Sequence, residues 1–85
     1  MQASSLAAFQ VRARHCLEAS HHQVCEQALL EAEVLQRRAS ARSAYPCQTL
    51  LLGVQADLVM QQLNAGRGAQ AVADLQVATR GCAGL

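Results

Sequence analysis

Aromatic side chains are almost missing from this sequence: Phe9 and Tyr45 are the only two, and there is no Trp. The hydrophobic share is nevertheless 52%, supplied mainly by Ala, Leu and Val. This composition favours closely packed helices over a sheet or an aromatic-lined pocket. Because 85 residues make only one small core, we predict a single all-α domain that gains from a staple, a metal or a partner.

Lysine is absent, and the seven basic side chains are arginines spread along the chain. The formal net charge is only +1. Nucleic acids and acidic membrane surfaces are bound by concentrated positive charge, so neither is expected as a partner.

Long apolar runs are also lacking. The run at residues 50–54 is far shorter than a membrane span, and the N-terminal segment has no uninterrupted apolar core of a signal peptide. We therefore expect a cytoplasmic protein without membrane insertion. Cysteines in that compartment are usually reduced, so free, buried thiols are expected at all four positions. The four are Cys16, Cys25, Cys47 and Cys82.

Hydrophobic residues recur at helical spacing in four segments. Ser4 or Ser5 can cap the first helix, which ends near residue 19 and leaves residues 1–4 loose. Ser20 and Gln23 have the spacing of a capping box, which predicts a second helix over residues 21–38.

The remaining two helices follow a loop at residues 39–45, which has no apolar period. Pro46 suits the first turn of the third helix, and Gly66 suits the left-handed residue that closes it. The fourth helix is predicted over residues 68–80. Two hairpins result, over residues 5–38 and 46–80.

The third helix carries apolar residues on two arcs instead of one. The first arc consists of Leu51, Val54, Leu58 and Ala65, and the second of Leu52, Ala56, Val59, Met60 and Leu63. Such a helix needs neighbours on two sides, and a second protein is expected to supply part of the cover. The second arc is larger and suits the core, so Leu51, Val54 and Leu58 are predicted to contact the partner. The alternative is that this chain's own helices cover both arcs.

Two aliphatic residues of the second helix, Leu30 and Val34, fall outside its buried arc and lie one turn apart. They are either isolated surface residues or a small patch that adds to partner binding.

The second and fourth helices align at an offset of 43 residues. Gln27-Ala28-Leu29 then matches Gln70-Ala71-Val72, Glu31 matches Asp74, and Val34 matches Val77. The chain resembles a degenerate pair of tetratricopeptide repeats, which implies two stacked helical hairpins. Chance alignment of two Ala-rich helices is the alternative. The resemblance is carried by Ala28, Ala32 and Leu35 in the first hairpin and by Leu58, Gly66, Ala71, Leu75 and Ala78 in the second.

A more particular resemblance is to the tetratricopeptide-like co-chaperones that hold the needle subunit of bacterial type III secretion systems. It is carried by Glu26-x-Ala28-x-x-x-Ala32-Glu33-x-Leu35 and by Gly66-x-x-x-x-Ala71-Val72. The chain lacks the third hairpin of the longer members. The resemblance implies a cytoplasmic chaperone with a part in virulence. It would form a hetero-oligomer with a second small chaperone and hold an amphipathic helix of the needle subunit in an apolar groove.

The sequence offers little for catalysis or for a cofactor. Two Cys and three His lie within residues 15–25, but their spacing fits no standard zinc motif, and no metal is expected. No cleft or third group supports a Cys and His catalytic pair, so no enzyme is expected. Gly66-Arg67-Gly68 follows no strand and is better explained as a turn than as a phosphate loop. Besides the chaperone, a self-contained bundle or homodimer subunit and a small metal-binding regulator stay open.

Overall fold

The computed structural model describes residues 5–85, which form four α-helices and no strand. The helices are α1 (Leu6–Ala19), α2 (His22–Ala41), α3 (Tyr45–Gln62) and α4 (Ala69–Gly81). The all-α prediction is confirmed. Across this described range, none of the helices has both the length and the apolar character needed to cross a membrane.

Helix α3 is the centre of the fold, since it packs against α1, α2 and α4. Helix α1 packs against α2 as well and also contacts α4. Helices α1 and α4 therefore cover the same side of the α2–α3 pair. This order of contacts is compatible with two stacked hairpins, α1 with α2 and α3 with α4.

The core is built largely from small side chains, which let the helices approach closely. Its fully buried members include Ala13, Ala28, Ala32 and Ala78, and Phe9 is the largest. The buried face of α2 is a stripe at helical spacing that faces α1 and α3. That stripe consists of Cys25, Ala28, Glu31, Ala32, Leu35 and Ala39.

The two arcs of α3 are buried the other way round from the prediction. Leu51, Val54 and Leu58 are fully buried in the core, so they do not offer a surface to a partner. Four residues of the second arc are exposed instead: Leu52, Ala56, Val59 and Leu63. The physical reason is that Cys47 extends the first arc by one turn, and this longer stripe fills the contact with the neighbouring helices.

The cysteines are paired, so the prediction of free thiols was wrong. Cys16 is bonded to Cys25 with an S–S distance of 2.08 Å, and Cys47 is bonded to Cys82 at 2.04 Å. The first bond joins α1 to α2 and the second joins the start of α3 to the C-cap of α4. Each hairpin therefore has one covalent link, which is typical of small domains with little core.

The start of α1 agrees with the prediction, whereas the boundary between α1 and α2 does not. Ser5 is the N-cap, and its Oγ accepts a hydrogen bond from the Ala8 N–H at 3.1 Å, as expected. Ser4 and the other residues of 1–4 lie outside the described residues. Ser20 does not open a capping box: it closes α1 in the left-handed conformation with φ of 54°, and His21 precedes α2. The chain reverses direction between α1 and α2, and the left-handed conformation of Ser20 makes this turn possible.

The later turns also differ from the prediction. Helix α2 continues to Ala41, so the loop expected over residues 39–45 is much shorter. Helix α3 ends at Gln62, and Asn64, not Gly66, has the left-handed φ of 61°. Asparagine tolerates that conformation better than most residues. Gly68 has φ of 59° and directly precedes α4.

Candidate functional site

An open groove runs between α2 and α3, on the side that α1 and α4 leave uncovered. It has two parts. The part that we call the leucine end has a volume of about 600 Å³ and is lined by His22, Glu26, Leu29, Leu30, Glu33, Gln62 and Leu63. The part that we call the glutamine end has a volume of about 500 Å³ and is lined by Glu33, Gln36, Arg37, Ser40, Gln48, Leu52 and Gln55. Glu33 lines both parts, so the two parts adjoin at this residue.

Three large apolar side chains of α3 and its C-cap are exposed: Leu52 lines the glutamine end, Leu63 lines the leucine end, and Val59 lies between them in the sequence without lining either part. The exposed fraction is 50% for Leu52, 41% for Val59 and 71% for Leu63. These three residues follow one another at intervals of seven and four, so they share one stripe of α3. Leu30, 59% exposed, faces Leu63 from α2. Neighbouring exposed leucines of this kind mark a binding surface more often than isolated ones.

The predicted contact residues are only partly brought together by the fold. Leu30 lines the leucine end, whereas Val34, one turn further along α2, is half-buried and does not line the groove. The other three predicted residues lie in the core, as described above. A signal for the correct arc existed in the sequence, since Cys47 continues the buried stripe at helical spacing.

Glutamine side chains tie the walls of the groove together. Gln36 Nε2 donates a hydrogen bond to Gln55 Oε1 across the glutamine end, and both residues are half-buried. Beyond the leucine end, Gln61 Nε2 donates to Ser20 Oγ and joins the end of α3 to the α1–α2 turn. These contacts help to set the spacing of α2 and α3 without filling the groove.

Charge is distributed unevenly along the groove. Glu26 and Glu33 lie at the leucine end, and Arg37 lies at the glutamine end. The closest basic atom to the Glu26 carboxylate is His22 Nε2, at 3.7 Å. Within residues 5–85, neither Glu33 nor Arg37 forms an ion pair. The leucine end is therefore acidic.

The first hairpin is held by an ion pair that the sequence did not reveal. Arg12 Nε and Nη2 donate to the two carboxylate oxygens of Glu31 at 2.7 and 2.6 Å. Glu31 is only 3% exposed. The Glu31 carboxylate raises the pKa of Arg12 through this hydrogen bond and its charge. Arg12 thus satisfies a buried carboxylate between α1 and α2.

The second hairpin contains a buried carboxylate, that of Asp57. Arg67 Nη1 lies 3.3 Å from Asp57 Oδ1 and 3.3 Å from Asp74 Oδ2, while Asp57 Oδ2 has no hydrogen-bond partner. Burial, helped by Asp74, raises the pKa of Asp57 to about 6. Hydrogen bonds from Asp57 and Gln70 lower the pKa of Asp74. A proton shared by the two carboxyl groups therefore resides mainly on Asp57.

Neither ion-pair cluster provides the ligand set of a metal site. Among the residues that the structure describes, no three His, Cys, Asp or Glu side chains converge to hold a metal ion. Cys16 and Cys25 are bonded to each other, so neither is a thiolate ligand. The rings of His15 and His21 stand 6.3 Å apart beside that disulfide.

The open groove is therefore the best candidate for a functional site, and what it offers chemically is apolar contact with a charged border. Comparisons with known proteins do not narrow this further: no protein family, no curated protein and no solved structure gave a significant match to the chain.

Proposed function

We propose that this protein is a small chaperone or adaptor that holds an amphipathic helix of a partner protein in the groove between α2 and α3. The observation that carries the proposal is the exposure of Leu30, Leu52 and Leu63 in the open groove, with Val59 exposed on the same stripe of α3. An amphipathic helix laid in such a groove buries its own apolar stripe and that of the host.

The dimensions of the groove support a helical occupant. Its α2 wall extends from His22 to Ser40, which corresponds to about 27 Å of helix. The exposed residues of α3 are spaced as i, i+7 and i+11, the spacing at which one helix contacts another along its length. A bound helix of about 18 residues would fill this length.

The specific form that we propose is a co-chaperone of a type III secretion needle subunit, acting with a second small chaperone in a cytoplasmic hetero-oligomer. A filament subunit carries a helix that associates readily, and covering it would prevent premature assembly. The support is the resemblance carried by residues 26–35 and 66–72 together with the open apolar groove.

Such a role must accommodate the two disulfides, because disulfides are rare in the cytoplasm. All four cysteines are buried, with at most 4% exposure. As thiols they would remain in the core as small hydrophobic residues. A cytoplasmic function therefore requires that the reduced chain keeps its fold and its groove.

The test uses two substitutions at equally exposed positions. Leu63 lines the groove and Val11 lies on α1, and both are 71% exposed. Coexpression with a needle subunit and its second chaperone should yield a soluble complex for the parent chain and for Val11→Glu. Leu63→Glu should lose the complex while keeping its circular dichroism spectrum and melting temperature.

A second measurement separates helix binding in general from this particular client. A fluorescent peptide of about 20 residues, with leucines on one face, is titrated with each variant. Binding of the peptide without capture of the needle subunit would reject the secretion role and leave the helix-binding role. A monodisperse monomer that binds neither would reject both.

A further inference from the structure

We propose, on the basis of the proposed function, that the groove selects its partner by charge pattern. The occupant is a helix with Lys or Arg beside its apolar stripe at the leucine end and Asp or Glu at the glutamine end. Its direction is opposite to that of α2.

The charges that line the groove carry this inference. Glu26 and Glu33 are separated by seven residues on α2, or about 10 Å along the helix, and Arg37 follows one turn later. Glu33 lies at the junction of the two parts and so stands beside the middle of any helix that fills the groove. In the direction of α2, the border of the groove therefore carries two acidic residues followed by one basic residue.

A docked helix removes water from this border. Glu33 and Arg37 form no ion pair in residues 5–85. Because they lie four residues apart on α2, each would compensate only part of the hydration that the other loses, and an occupant that supplies an opposite charge to each is favoured. A helix with acidic residues beside Glu26 and Glu33 would add repulsion to that loss. Selection by charge then works both by attraction and by exclusion of the wrong partner.

The direction of the occupant follows from its own helix dipole. Acidic residues stabilise a helix near its N-terminus, and basic residues stabilise it near its C-terminus. A helix that places its acidic residue beside Arg37 and its basic residues beside Glu26 and Glu33 satisfies this preference when its N-terminus lies at the glutamine end. It then runs antiparallel to α2.

A second copy of this chain fits the groove less well. A two-fold axis along the groove would bring Glu26 and Glu33 of one copy towards the same carboxylates of the other, which adds repulsion. A two-fold axis across the groove would instead bring the leucine end of one copy against the glutamine end of the other. Leu30 and Leu63 would then meet polar groups such as Gln48 and Ser40 instead of apolar ones. A separate amphipathic helix can instead place its leucines against Leu30 and Leu63.

The experiment compares two peptides of about 20 residues that share one leucine stripe. The first has two lysines and one glutamate at the spacing described above, and the second has every charge reversed. Fluorescence anisotropy with the parent protein should give at least about tenfold tighter binding of the first peptide at low salt. The ratio should shrink at about 0.15 M ionic strength, because exposed charges are screened.

Variants identify the residues responsible. Glu33→Gln and Glu26→Gln should each reduce the ratio by about threefold or more, and the double variant should leave only the part of the preference that Arg37 supplies. Glu18→Gln is the matched control, because Glu18 is an exposed carboxylate of α1 outside the groove. It should leave the ratio unchanged.

Three other outcomes would each lead to a different conclusion. If both peptides bind equally well and Leu63→Glu abolishes both, the charge inference is wrong and the helix-binding function stands. If neither peptide binds, the proposed function itself fails. Sedimentation that shows a dimer of the parent chain, lost in Leu63→Glu and not displaced by either peptide, would assign the groove to a second copy and overturn the inference.

Discussion

Leu58 and Leu63 lie near the same end of α3, yet Leu58 is fully buried and Leu63 is one of the most exposed apolar side chains of the described chain. The five-residue interval turns the second side chain about 140° from the first around the helix. The C-terminal part of α3 therefore contributes to the core through Leu58 and to the groove through Leu63. Substitution of Leu58 should therefore affect stability, whereas substitution of Leu63 should affect binding.

Leu58→Ala should lower the free energy of unfolding by about 2 to 4 kcal/mol, because it leaves a cavity among fully buried neighbours. Leu63→Ala should change it by no more than about 0.5 kcal/mol, since the side chain is already exposed. Urea unfolding followed by circular dichroism measures both. Equal losses would contradict this assignment of the two arcs.

Titration of Asp57 should make the stability of the protein depend on pH. Its pKa is about 6 in the folded chain, above the usual value, so the folded state binds more protons than the unfolded state between about pH 4 and pH 6. Stability should therefore rise by about 1 kcal/mol as the pH falls from 7 to 5. The lowered pKa of Asp74 acts in the opposite sense, but only at more acidic pH.

Asp57→Asn is the direct check on this contribution, because it removes the titrating group and nearly preserves its shape. The variant should be at least as stable as the parent at pH 7, and its stability should be nearly flat between pH 5 and pH 7. An unchanged slope would mean that another group causes the pH dependence.

The ion pairs of α1 differ in burial and should differ in importance. Arg12→Ala leaves the buried Glu31 carboxylate without its partner, whereas Arg14→Ala breaks an exposed pair with Glu18. The first variant should lower the melting temperature clearly more than the second. Similar melting temperatures would show that water replaces Arg12 around Glu31.

The two disulfides close loops of different length. Their sequence separations are 9 for Cys16–Cys25 and 35 for Cys47–Cys82. Loop-closure entropy predicts that replacing the second pair by alanines costs about 1 kcal/mol more than replacing the first. Urea unfolding of the two double variants tests the order, with the reduced parent chain as a reference for both losses.

The four helices could be predicted from the sequence because hydrophobic periodicity is local. Which face of α3 is buried could not be settled in the same way, because the answer depends on the neighbours that pack there. Leu51, Val54 and Leu58 were therefore assigned to the partner although Cys47 completes their stripe. Counting cysteine as an apolar residue would have favoured the correct arc.

The buried charges were missed for a related reason. The partner of Glu31 is on the preceding helix, and the partner of Asp57 is on the turn that leads to α4. Neither pairing leaves a periodic signal in the sequence. The groove was missed as a whole for the same reason, because its walls come from two helices whose spacing only the folded chain defines.

Each covalent link of this protein lies within one hairpin, and neither crosses from α2 to α3. The two walls of the groove are therefore joined only by packing and hydrogen bonds, apart from the short connecting turn. The width of the groove is therefore set by the core that the two hairpins share, to which all four helices contribute. Substitutions in that core between α2 and α3 should change the fit of a bound helix even where they touch neither the groove nor a sulfur bridge.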